Sequence, residues 1–176
     1  MVSSAAERFL AFPWLAEMDS ASLQAVLNVL IEKKAPAGAI LLAQGQPNDH
    51  VSFLIEGTAF VSRVLENGRT ESLTTLTAPS VFGLTSFFRP QPPGFSVKAD
   101  KEVWYLTLDH HAHGLLRRAD PKAAEGLAFA AARVLADRFD LMDKKVSALM
   151  AEHPEDSSKN TEWAEFRTRL FDEASI

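Results

Sequence analysis

"SVFGLTSFFRPQPPGFSVKA", residues 80–99, is the stretch on which the reading of this chain turns. Gly83 lets the backbone turn sharply out of an apolar run and into a short helix. The first turn of any helix presents N–H groups without intrahelical partners, so an anion fits against it. The amides of Thr85, Ser86 and Phe87 are the candidate donors. The stretch contains no acid and a single arginine, Arg89, which sits in the proline-rich loop "RPQPPG" (89–94). The geometry of an anion cradle is therefore present, but without an obvious charge to complete it.

Upstream of this stretch the hydrophobic period is short. "GAILLAQG" (38–45) and "HVSFLIEG" (50–57) read as strands, the second with Val51, Phe53 and Ile55 on one face. In "TAFVSRVLENGRTESLTTL" (58–76) two strands flank Asn67-Gly68, a pair that favours a tight type I′ hairpin turn. Downstream, "FSVKADKEVWYLTL" (95–108) adds one or two strands, with Val103, Tyr105 and Thr107 facing opposite to Trp104, Leu106 and Leu108. Short strands with regular turn signals predict a mainly β fold, an antiparallel roll or jelly roll, with flanking helices.

Helical periods bracket the strands. "SASLQAVLNVLIEKK" (20–34) follows a cap at Asp19 or Ser20 and is predicted to run until Pro36 and Gly38 stop it. "FLAFPWL" (9–15) reads as a short helix or turn packed on the core. Asp109 is a candidate N-cap, and Pro121 suits the first position of a long helix reaching about Met150. Ala128, Ala132, Leu135, Phe139, Met142, Val146 and Leu149 on that helix are spaced as a heptad seam. Such a seam predicts a homodimer, the alternative being packing on the chain's own β domain. The division expected is residues 1–150 for the roll with its long helix, and 151–176 for an acidic linker and tail. The tail "TEWAEFRTRLF" is read as a short amphipathic helix with Trp163, Phe166 and Leu170 on one side, docked on the protein itself or offered to a partner.

Composition narrows the function. Of 176 residues 47% are apolar, the formal net charge is −5, and there is no cysteine. Disulfides and thiolate metal sites are excluded. No run of 18 apolar residues predicts a membrane span, and the N-terminus lacks the basic start of a secretory signal, so a cytoplasmic protein is expected. Seven acids against three bases fall between Ala151 and Ile176. Neither half offers the basic face that nucleic-acid binding requires.

Helix, about eight strands with glycines at their corners, then a long helix: the order resembles the cyclic-nucleotide-binding domain of the catabolite-activator (Crp-Fnr-like) and protein kinase regulatory-subunit family. "AGAILLAQGQPND" (37–49) is similar to the family's Pro-Gly, strand, Gln-Gly, acidic-turn signature, "VSFLIEGTAFVSRV" (51–64) to its next strand pair around Gly57, and "SVFGLTSFF" (80–88) to the Phe-Gly that opens its phosphate-binding cassette. The resemblance runs from about Phe9 to Met150. It implies a regulatory ligand-binding module rather than an enzyme. The site it implies comprises Gly83, Leu84, Thr85, Ser86, Phe87, Arg89 and Ser96, taking a cyclic nucleotide or another small anion.

Two side chains complete that site in the family, an acid after the Phe-Gly for the ribose hydroxyl and an arginine leaving the cassette for the phosphate. This sequence has Leu84 at the first and Pro93 at the second. Hydrogen bonds to charged groups contribute ~1.5–3 kcal/mol each, so losing both removes ~3–6 kcal/mol, about 10²–10⁴ in affinity. Binding of cyclic AMP or GMP is expected to be weak or absent. Arg89, Lys98, Thr85 and Ser86 are the nearest substitutes, Arg89 being read first as a solvated loop charge. Family members that bind DNA carry about 70 further residues as a helix-turn-helix, whereas 26 follow Met150 in this sequence, so direct DNA contact is not expected.

Two alternatives stay open. One is a protein-interaction dimer with no small ligand, working through the seam or the tail. The other is a cupin-like metal-dependent enzyme built on "DHHAH" (109–113), where His110 and His113 share a helix face. His111 and His113 point apart on a helix, which disfavours a His-x-His metal site. Asp49-His50 reads as a turn pair, and no nucleophile elbow or phosphate loop with lysine is present.

Overall fold

Pro13, Asp19, Asp109 and Pro121 punctuate the helical parts of the chain, and between them the backbone is extended. The structure, a computed structural model, describes residues 4–152, 161–166, 168 and 169. In chain order it has α1 (Ser4–Leu10), a 3-10 turn (Pro13–Leu15), α2 (Ser20–Leu27), β1 (Ile31–Ala35), β2 (Ile40–Leu42), β3 (His50–Glu56), β4 (Thr58–Val64), β5 (Thr70–Thr77) and β6 (Ser80–Phe82). There follow α3 (Leu84–Phe88), β7 (Ser96–Ala99), β8 (Val103–Asp109), α4 (His110–Ala119) and α5 (Pro121–Glu152). By contact the chain divides into a unit ending at Ala131 and a second starting at Ala132.

The strands form two antiparallel four-stranded sheets, β1-β8-β3-β6 and β2-β7-β4-β5. This is the expected β-roll with flanking helices and a long helix. Its interior is apolar, filled by Leu42, Leu54, Val61, Phe82, Val97 and Val103. The first sheet is covered on its other face too, where Val51, Phe53, Leu106 and Leu108 meet the helical layer. Burial on both faces explains why β3 is buried from Val51 to Ile55 without alternation. Phe53 anchors that layer. Its ring takes the edge of Phe9 at 5.2 Å and of Phe12 at 6.1 Å, and stacks on Trp14 at 5.8 Å. Aromatic side chains of "FLAFPWL" thus seal the sheet, as its composition implied.

Two sequence readings are corrected. The helix expected over residues 20–34 stops at Leu27, and Ile31–Ala35 pairs with β8 in register Ile31 to Thr107 through Ala35 to Val103. Glu32, Lys33 and Lys34 are good helix formers, yet they also suit an edge strand, where charge discourages further pairing. Lys34 gains a second role there, its ammonium lying 4.5 Å from the centre of the Trp104 ring. The 58–76 hairpin exists, but its turn is not type I′. Only Gly68 has positive φ (+78°), the Gly68 N–H donates to Leu65 O at 2.8 Å, and the Leu65 N–H donates to Arg69 O at 2.9 Å. That is a longer loop with one left-handed glycine, and Asn67 instead accepts from the Arg69 amide at 3.0 Å.

The helix caps fall where the sequence placed them. Asp19 accepts from Ser22 N at 2.9 Å and Asp109 from Ala112 N at 2.7 Å. Asp120 caps α5 through Ala123 N at 2.9 Å. In the first unit, α5 buries Ala123, Ala124, Leu127, Ala130 and Ala131. In the second unit, its remaining turns leave Phe139, Leu141, Met142 and Leu149 exposed, with Leu135 and Val146 half-buried. Residues 161–166 are helical, and Trp163 and Phe166 stack at 5.3 Å. Leu170 lies outside the described residues. Among the described residues no helix is long and apolar enough to cross a membrane.

Candidate functional site

Gly83 fixes the geometry of the cassette. Its φ is +81°, and a β-carbon there would lie 2.7 Å from the backbone oxygen of His50. Only glycine meets both conditions, so β6 can pass directly into α3 against the start of β3. The Gly83 carbonyl accepts from Phe87 N at 3.0 Å and from Ser86 Oγ at 3.2 Å. The Phe87 amide is thereby consumed, which removes it from the expected trio of anion donors. Ser86, 3% exposed, also accepts from Asn48 Nδ2 at 2.8 Å, and the same Asn48 nitrogen donates to His50 O at 2.7 Å. Asn48 therefore ties the cassette to β3. No local signal in the sequence distinguishes it, because its partner lies 38 positions away.

A cavity of about 220 Å³ opens beside this junction. Leu42, Gly83, Thr85 and Ser86 line one side, and Gln91, Pro92, Pro93, Gly94 and Phe95 the other. No lining residue is ionisable. Pro93 is buried in the wall, and its carbonyl accepts from Gly45 N at 2.9 Å. The polar groups offered are the Thr85 and Ser86 hydroxyls, the Gln91 amide and main-chain groups, with the Ser86 hydroxyl already bonded on both sides.

The seven sequence-derived site residues are not gathered in one place. Gly83, Thr85 and Ser86 line the cavity, while Leu84, Phe87, Arg89 and Ser96 do not. Leu84 is 2% exposed and turns the other way, into the layer with Trp14, Phe53, Phe87, Leu127 and Ala131. Arg89 is an exposed residue at the end of α3, where its amide donates to Thr85 O at 2.9 Å. Ser96 Oγ accepts from Gln44 N at 3.0 Å. Lys98 faces outward from β7, since Val97 and Ala99 on either side of it are buried.

The histidines of "DHHAH" also have a place. His110 donates from Nε2 to Phe87 O at 2.7 Å; a carbonyl can only accept, so this nitrogen carries the proton. The Phe87 ring lies 4.7 Å from the His110 ring and 5.5 Å from the His113 ring. Burial, with Arg117 and His110 adding to it, lowers the His113 pKa. Among the described residues no three His, Cys, Asp or Glu converge to hold a metal. Asp49 accepts from His50 Nδ1 at 3.1 Å, and this bond pulls the Asp49 carboxyl below its ordinary range.

The cassette is thus a left-handed glycine, a one-turn helix and a returning strand set beside a cavity of the β-roll. Residues 32–118 match the family model of the cyclic nucleotide-binding domain and belong to that family. The chain is 28% identical over 134 residues to a CRP-like cAMP-activated global transcriptional regulator of Mycobacterium tuberculosis, the match taking in 76% of this chain and 58% of the regulator's length. The N-terminal domain of a transcriptional regulator from Streptomyces coelicolor A3(2) superposes with a TM-score of 0.66 at 26% identity, over 76% of this chain and 95% of that one. A cyclic nucleotide-binding domain from Methylobacillus flagellatus gives a TM-score of 0.73 at 18% identity, over 80% and 82% of the two chains.

Proposed function

We propose that this chain is a non-enzymatic cytoplasmic sensor or scaffold domain whose cassette binds cyclic AMP and cyclic GMP weakly or not at all. The observation that carries this reading is the uncharged cavity wall, with Pro93 in it where the family pattern has arginine and Leu84 turned into the helical layer. An anion entering such a cavity loses hydration and gains no counter-charge. The candidate contacts are Gly83, Thr85 and Ser86, with Leu84, Phe87, Arg89 and Ser96 supporting the cassette around them.

The same reading makes the chain a homodimer through the seam containing Leu135, Phe139, Met142, Val146 and Leu149. Its support is the exposure of Phe139, Met142 and Leu149, which cost free energy if left in water. The division of labour is residues 1–150 for sensing and pairing, with 151–176 as an acidic tail open to a protein partner. Nucleic acid and membrane have no part in it; a net charge of −5 supplies no phosphate-neutralising face. Titration calorimetry with cyclic AMP and cyclic GMP tests the cassette. Millimolar or weaker binding is expected, and a micromolar dissociation constant refutes the reading. Sedimentation equilibrium tests the dimer.

A further inference from the structure

The "DHHAH" segment sits where the cassette meets the helices, and no part of the function above uses it. Its two contacts on Phe87 differ in kind. His110 holds the Phe87 carbonyl at 2.7 Å through a proton it keeps in either charge state, and its backbone N–H donates to Asp49 O at 3.2 Å. His113 has no such anchor. It is half-buried in the layer where Leu84 and Phe87 of α3 meet Leu127, Ala128 and Ala131 of α5, and it presents its ring to Phe87 at 73°.

We propose that His110 and His113 form a proton-operated latch on Phe87, closed while His113 is neutral and loosened when it becomes charged. The groups facing His113 can be enumerated by element. From α4 come His110 and Arg117, both cationic when charged. From α5 comes Glu125, which shares with His113 and Arg117 an open cleft between the two helices. From the 3-10 turn, β3, β8 and α3 come only Trp14, Val51, Phe53, Leu108, Leu84, Phe87 and Phe88, which cannot solvate a charge. Burial, Arg117 and His110 all oppose the charged ring, and these outweigh what one carboxylate in an open cleft returns. A charged His113 regains solvation by swinging out of the layer, which leaves Phe87 held at one side only. Since α3 is a single turn, its position against the cavity depends on that hold.

The sign follows from linkage. The closed state prefers neutral His113, so its pKa lies below that of the opened state, near 6.5. The latch is fully closed above that pH and is lost as pH falls through the window beneath it; each unit of difference changes the opening equilibrium about tenfold. The experiment is amide hydrogen exchange on residues 84–95 of the full chain at pH 7.5 and pH 5.5, corrected for intrinsic rates, in the wild type and in His113→Phe. The expected result is that wild-type protection drops about threefold or more at the lower pH while the variant's drop is abolished. An equal drop in both, or none in the wild type, overturns the proposal. Should His113→Phe fail to fold, an NMR titration of the wild type decides. His113 must titrate below 6.5 with the Phe87 ring signals moving in step, and titration at or above 6.5, or a still Phe87, overturns it.

Discussion

Replacing Pro93 with arginine puts a cation into the wall of the 220 Å³ cavity, within the segment that faces Gly83, Thr85 and Ser86. The main-chain bond from Gly45 N to Pro93 O at 2.9 Å survives the change, so the wall keeps its position. A hydrogen-bonded charge pair is worth ~1.5–3 kcal/mol, which predicts about a 10- to 150-fold gain in cyclic AMP affinity over wild type. The gain should shrink as salt is raised. The companion change Leu84→Glu, which by family pattern would restore a ribose acceptor, is predicted to do the opposite. Leu84 is 2% exposed and packs on α5, so a carboxylate there loses ~2–5 kcal/mol of packing and is buried without a partner. Calorimetric titration of wild type, Pro93→Arg, Leu84→Glu and the double variant, with urea melts alongside, reads all of this. If Leu84→Glu binds cyclic AMP more tightly at no cost in stability, the orientation assigned to Leu84 is wrong. If Pro93→Arg gains nothing, the missing cation is not what keeps affinity low.

Gly83→Ala should unfold the cassette corner, because it combines ~1–2 kcal/mol of left-handed strain with a contact to His50 O that cannot relax; urea denaturation should show a loss above that strain alone. Asn48→Ala removes one donor shared by Ser86 Oγ and His50 O, and a loss of ~1–3 kcal/mol is expected in the same assay. Asp19, capping α2 and paired with Lys122 Nζ at 2.9 Å, has its pKa held well below the ordinary carboxylate value. Its contribution is therefore present above about pH 4 and lost as pH falls below that. Asp19→Asn, which keeps the cap but not the charge, should flatten the acid limb of the urea midpoint between pH 5 and pH 2. Phe139→Ser with Met142→Ser should shift a dimer toward monomer in sedimentation without changing the thermal midpoint of the β-roll.

What was legible in the sequence was what depends on neighbours along the chain. The caps at Asp19 and Asp109 and the start of α5 at Pro121 each rest on contacts within four residues, and the corner at Gly83 was legible from the glycine itself, although its contact with His50 O was not. The roll itself was legible because short extended runs and corner glycines recur from β2 to β8. Apart from the 65–69 turn, whose type was misread although its hydrogen bonds are local, the failures share the opposite property. Ile31–Ala35 is a strand because β8 lies beside it, with Ile31 set against Thr107, 76 positions further along the chain. Asn48 matters because Ser86 folds onto it. Leu84 sits at a position whose family role is to face the ligand, and nothing in the string "FGLTS" says that an apolar residue there will turn toward α5 instead.

The two departures from the family pattern are thus physically unequal. Pro93 subtracts, leaving a cavity wall without charge. Leu84 adds: burying a leucine is worth ~1.5–3 kcal/mol, and that burial ties α3 to the same layer as Leu127 and Ala131 of α5. Phe87, 4% exposed and gripped by His110 and His113, acts in the same direction. On the proposed reading the cassette helix is held in place by the protein's own side chains, so a ligand has little left to change by closing it. A signal read from the position of α3 then has to come from something that weakens this packing, and of the two histidines in contact with it His113 is the one without a hydrogen bond to the Phe87 carbonyl. Cyclic AMP added to Pro93→Arg should accordingly bind without altering hydrogen exchange in residues 84–95, whereas acid should alter it in wild type and Pro93→Arg alike. If the nucleotide instead protects that segment strongly in Pro93→Arg, α3 was not already docked, and Leu84 and Phe87 do not hold it.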